Sequence, residues 1–114
     1  MKAIILLISV ALVMAAGHWS DSIAIDTTKH TILLQMLESV RPLLEAESGN
    51  GKSFAQYIPV SYISQVVAGT NYKVKIQVDA NEYIHASIFV PLQFMNQAPK
   101  IREVITNMKS EDPL

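Results

Sequence analysis

The sequence predicts an α+β protein in which an antiparallel β-sheet wraps around one long α-helix. Three observations carry that expectation. One stretch has apolar residues at three- and four-residue steps, the spacing changes to two after it, and the later stretches are joined by connections too short for parallel crossovers. With 114 residues, 50% hydrophobic content and a formal net charge of -1, the chain describes one small domain with a limited core.

Part of the apolar content belongs to the N-terminus. Lys2 precedes "AIILLISVALVMAA", in which Ser9 is the sole polar residue, and small Ala15 and Gly17 stand at minus three and minus one of a cleavage point after Gly17. This is the pattern of a secretory signal. The expected organisation is a signal over residues 1–17 and a domain over 18–114, secreted and free of the membrane once the signal is removed. The chain has no cysteine, so the exported domain must be held by packing and sheet pairing instead of disulfides. Loss of Lys2 with the signal takes the charge from -1 to -2, with no basic block, and nucleic acid is not an expected partner.

Residues 18–30 have no clear period and read as an extended arm, with Trp19, Ile23 and Ile25 available for apolar contact. From Thr31, Leu33, Met36, Leu37, Val40 and Leu44 define one amphipathic helix, with Thr28 or Thr31 to cap it, Pro42 to distort it and "GNG" at 49–51 to end it. A strand carries Phe54, Ile58, Val60 and Tyr62 on one side, and the next carries Val74, Ile76 and Val78. "DANE" at 79–82 makes a turn. A further strand sets Ile84, Ala86, Ile88 and Val90 inward, with Tyr83, His85, Ser87 and Phe89 opposite. The last, less regular strand covers 100–106 with Ile101 and either Val104 or Ile105 inward.

This arrangement leaves "QVVAG", Gln65 to Gly69, at the tip of a hairpin. Val66, Val67 and Ala68 are costly to leave in water and cannot reach the core from there, so the tip reads as a surface that a partner buries. Gly69 permits positive φ where the chain reverses and allows close approach of another backbone.

With its flanks, the stretch resembles the cystatin superfamily and, within it, the cysteine-free stefins, or type 1 cystatins. The resemblance covers residues 31–112 through "VRPLLE", "QVVAGTNYKVKIQV", "NEYIHASIFVPL" and the tail "NMKSEDPL", with the Gln-x-Val-x-Gly motif intact as Gln65, Val67 and Gly69. It implies a reversible, tight-binding inhibitor of papain-like cysteine proteases, such as cathepsins of the L, S, H and B type. It also implies a wedge of three segments that occludes the cleft without covalent chemistry. Carried onto this chain, the first loop is Gln65, Val66, Val67, Ala68 and Gly69, the second Leu92, Gln93 and Phe94, and the arm Ser22, Ile23 and Ala24.

Two of those segments depart from the stefin pattern. Where stefins carry Leu-Pro in the second loop this chain has Leu92 and Gln93, with Phe94 as a substitute anchor. Where they carry glycine before a hydrophobe in the arm, it has Ser22 before Ile23. A non-inhibitory binding protein on the same scaffold is the alternative reading. A monomer is the expected state, and exchange of the first hairpin between two chains would give a dimer. No catalytic residue, cofactor or metal is expected. His85, Ser87 and Asp79 do not form a reactive set, and His85 reads as a satisfied or surface histidine.

Overall fold

The computed structural model describes residues 17–48 and 52–114. The chain begins with a short strand β1 (Ile23–Ala24), continues into helix α1 (Thr31–Glu47), and then forms β2 (Ile58–Val67), β3 (Gly69–Asp79), β4 (Glu82–Pro91) and β5 (Lys100–Met108). The sheet order is β1-β2-β3-β4-β5, antiparallel throughout. The α+β class and the antiparallel sheet over one helix are therefore as the sequence predicts. The expected signal over residues 1–17 lies, apart from Gly17, outside the described residues, as does the "GNG" stop.

Helix α1 buries Leu33, Leu37, Val40 and Leu44 against Val74, Ile76 and Val78 of β3 and Ile84, Ala86 and Ile88 of β4. Each of these strand residues is the inward member of a period-two row, which is why the spacing alone identified them. The helix runs through Pro42 without interruption. Neither Thr28 nor Thr31 caps it. The N-cap position is His30, without a side-chain cap, and the preceding turn is instead closed by Asp26, whose Oδ1 accepts hydrogen bonds from the Thr28 and Lys29 amides at 2.8 and 3.2 Å. These bonds, and that from the Thr28 hydroxyl first among them, hold the Asp26 carboxyl below its usual pKa.

The segment after the helix is tied back to it. Glu45 accepts the Phe54 amide at 2.7 Å and the Arg41 Nε at 3.3 Å, Phe54 stacks on Tyr57, and the Arg41 guanidinium lies 4.9 Å from the Tyr57 ring centre. Tyr57 donates its hydroxyl to the Leu37 carbonyl, and burial pushes its pKa up.

Phe54 therefore precedes β2 instead of belonging to it, and the inward row expected for β2 is broken. Pro59 pairs with Ile76 but Ser61 pairs with Lys75, so Val60 is an inserted residue and the face changes at that point. Tyr62, opposite buried Val74, packs on the core, while Ile58 and Val60 are exposed. A second bulge explains the irregular last strand. Ser87 pairs with Glu103 and Ile88 with Ile101, which leaves Arg102 inserted, so that Ile101 and Val104 pack inward and Ile105 is exposed.

The expected extended arm is partly a strand. Ile23 pairs with Tyr62 and Ala24 with Ser61, and Ile25, whose amide donates to the Val60 carbonyl at 2.9 Å, packs against the core. The reading of His85 needs correction as well: it is buried on the outer face of β4, and among the described residues its Nε2 has no hydrogen-bond partner. Its neighbour across the sheet, Lys75, is also buried and donates to the Ser110 carbonyl at 2.6 Å, which draws the C-terminal tail over this part of the outer face.

Candidate functional site

The first loop is a continuation of the sheet and not a separate excursion. β2 ends at Val67, β3 begins at Gly69, and Ala68 alone makes the reversal. Gln65 pairs with Asn71, Val66 with Thr70 and Val67 with Gly69. The Asn71 side-chain amide donates to Gln65 Oε1 at 2.9 Å, bracing the last turn of the ladder from the outer face. Ladder and brace hold the apolar tip in one conformation before any partner arrives, which lowers the ordering cost of docking.

Gly69 has φ +128° and is buried. A Cβ at this position would lie 2.6 Å from the Val90 carbonyl oxygen and 2.8 Å from Phe89 Cζ. The missing side chain thus serves the protein's own packing, where the sequence suggested room for a foreign backbone. The ring that fills the space belongs to the strand leading to the second loop.

Gly69 also pairs with Pro91, the last residue of β4. Since paired strands lie about 4.8 Å apart, the start of the second loop stands directly beside the end of the first. That loop is a single 3₁₀ turn, Gln93–Met95, closed by Asn96 in the left-handed region at φ 51°. Leu92, Phe94 and Met95 are all exposed, Phe94 by 77%. Phe94 therefore packs on neither helix nor tail. Val66 is 70% exposed on the adjoining loop, so both turns expose apolar side chains at the same end of the sheet. Met95 was not singled out in the sequence; its place beside Phe94 in a segment with no inward period was the available signal.

The three arm residues lie elsewhere. Ser22, Ile23 and Ala24 are exposed, and the pairing of Ile23 with Tyr62 sets them beside the middle of β2. Tyr62 precedes Val67 by five residues, or about 16 Å of strand. The antiparallel register directs the arm's earlier residues, His18 and Trp19, toward the tip. Ser20 donates its amide to the Ser64 carbonyl at 2.7 Å, and Trp19 shares a shallow groove with Val67, Phe89 and Arg102.

Two adjoining turns that expose apolar side chains at one end of a sheet make a surface suited to docking. The comparisons with known proteins agree on the kind of protein that carries it. A model of the cystatin domain matches residues 22–109, and the chain belongs to the cystatin family. It is 33% identical over 90 residues to Stefin-C of Bos taurus, covering 78% of this chain and 87% of the relative. It is 36% identical over 77 residues to Cystatin-B of Pan troglodytes, covering 68% and 76%. It is also 31% identical over 80 residues to a protein of Sus scrofa named leukocyte cysteine proteinase inhibitor 1, covering 70% and 76%. These names are those of inhibitors and not of enzymes.

Proposed function

We propose that the chain is a reversible inhibitor of papain-like cysteine proteases, including cathepsins, which it blocks by inserting its apolar edge into the active-site cleft. The observation that carries the reading is the pairing of Gly69 with Pro91, which sets the Val66–Ala68 tip and the Leu92–Met95 turn side by side as one preformed surface. The names of the relatives support the class of target.

The geometry suits occlusion. Val66, Ala68, Leu92 and Phe94 supply exposed apolar area, and burying it in a cleft removes water from both sides. Phe94 takes the anchoring role of the stefin proline, whose position Gln93 holds, since a large ring in a desolvated pocket is a strong contact at interfaces. Val67 and Gly69 already face each other in the strand pairing of the hairpin, which opposes presentation of the tip as an extended, cleavable substrate. The chain acts as a monomer outside the cell, after removal of residues 1–17, as the N-terminal sequence pattern suggests.

Because occlusion needs no reaction with the protease cysteine, the chain binds papain whose active-site thiol has been blocked by a small alkylating group, and it is recovered uncleaved. Loss of all binding to the blocked protease, or recovery of a chain cut at the tip, would contradict the mechanism.

A further inference from the structure

Trp19 is the sole tryptophan of the chain, and the Lys73 ammonium lies 4.8 Å from its ring centre. Lys73 belongs to β3 and pairs with Ile63 of β2 on one side and Ser87 of β4 on the other. The indole therefore reaches across the edge strand to the outer face of the sheet. We propose that, within the inhibitory reading above on which this inference rests, Trp19 is a positioning residue: stacked on Lys73, it holds the arm so that His18, and not Ser22 to Ala24, completes the docking edge.

Two sets of contacts fix the arm in sequence. The first is backbone pairing, with Ile23 and Ala24 on β2 and the Ser20 amide on the Ser64 carbonyl; the Ser64 amide answers by donating to Ser20 Oγ at 2.9 Å. The second is the Trp19 ring. Among the described residues no backbone hydrogen bond to β2 holds Gly17, His18 or Trp19, so the indole is the last contact before the tip. The antiparallel register, with Ser20 bonded to Ser64, directs the preceding residues toward the end of β2 that carries Val66 and Val67, and His18 is exposed. The groove that Trp19 lines with Val67 shows how near the indole stands to the first loop.

A cation over the face of an indole is attracted by the ring's quadrupole. Here it replaces the missing backbone bonds and restricts a segment that would otherwise be ordered only on docking. Ile23 and Ala24, already paired along the middle of β2, cannot reach the tip without breaking that pairing, and Ser22 adjoins them.

The test uses the chain over residues 18–114, with Trp19 as its own fluorophore. Lys73→Met keeps the length of the side chain and removes its charge. It is expected to raise acrylamide quenching of the indole, to speed dissociation from papain by about fivefold or more, and to leave the thermal midpoint unchanged. Lys73→Arg retains a cation and restores both slow dissociation and shielding; a residue with a merely structural role would move the midpoint instead. His18→Glu is expected to weaken inhibition by about tenfold and by more than Ser22→Glu does. Normal inhibition with Lys73→Met indistinguishable from wild type, or a larger effect at Ser22 than at His18, overturns the arm placement alone. A wild-type chain that does not inhibit papain overturns the inhibitory reading and the proposal with it, while the quenching result still reports whether Lys73 shields the indole.

Discussion

Gly69 lies beneath the Phe89 ring. A Cβ on residue 69 would stand 2.8 Å from Phe89 Cζ and 2.6 Å from the Val90 carbonyl oxygen, and the backbone there has φ +128°. Phe89 in turn has the Arg102 guanidinium 5.3 Å from its ring centre, on the residue inserted by the β5 bulge. The glycine of the first loop, the strand that feeds the second and the bulge of the last strand are thus one packed unit, and the docking edge rests on it.

Gly69→Ala should therefore damage the fold as well as the edge. Strain at positive φ and overpacking against a carbonyl each cost on the order of 1–3 kcal/mol, so a loss of about 2 kcal/mol or more is expected in urea unfolding. Adding Phe89→Ala should recover part of the loss, since it removes the ring but not the carbonyl or the φ strain. An unchanged midpoint for Gly69→Ala would contradict the packing account.

The exposed members of the edge should behave in the opposite way. Val66→Asp and Phe94→Ala remove or charge apolar surface that the free protein leaves in water, so stability should stay within about 0.5 kcal/mol of wild type. Inhibition by either variant should weaken by about tenfold or more, which corresponds to roughly 1.4 kcal/mol. Equal inhibition by Phe94→Ala would remove the second loop's ring from the interface.

His85 predicts a pH dependence. Burial first, and then the Lys75 ammonium, hold its pKa below the ordinary value of 6.5, with Asp112 acting weakly the other way. The unfolded chain takes up this proton at a higher pH than the folded one, so the stability due to neutral His85 is complete above about pH 6.5 and declines as pH falls toward the folded pKa. The thermal midpoint of wild type relative to His85→Leu should fall as the buffer goes from about pH 7.5 to 5. A difference independent of pH would show that His85 does not titrate differently on folding.

Glu45 should matter more than an exposed ion pair. Its carboxylate accepts both the Phe54 amide and Arg41 Nε, joining the end of α1 to the segment before β2. Glu45→Ala leaves that amide without its charged partner, and a loss of about 1.5–3 kcal/mol is expected by urea unfolding. A loss near zero would mean that water replaces the carboxylate freely.

The core of the fold was legible because Leu33, Leu37, Val40 and Leu44, and the rows on β3 and β4, obey the periods of a helix and of regular strands. The first loop was legible because an apolar tip at a hairpin has no internal use. What the period could not show were the insertions at Val60 and Arg102, since a bulge changes the inward face without altering composition. Nor could it show the pairing of Ile23 with Tyr62, which depends on a partner distant in the chain and moves the arm residues away from the tip. The burial of His85 was missed for the same reason: a tail that returns through Ser110 covers a face whose alternation alone reads as exposed.

The most direct test of the central claim is a titration of the chain over residues 18–114 against papain and cathepsins L and B, with a fluorogenic peptide substrate. The account predicts reversible inhibition at nanomolar concentration, competitive with substrate. A folded chain that leaves all three proteases fully active would contradict it.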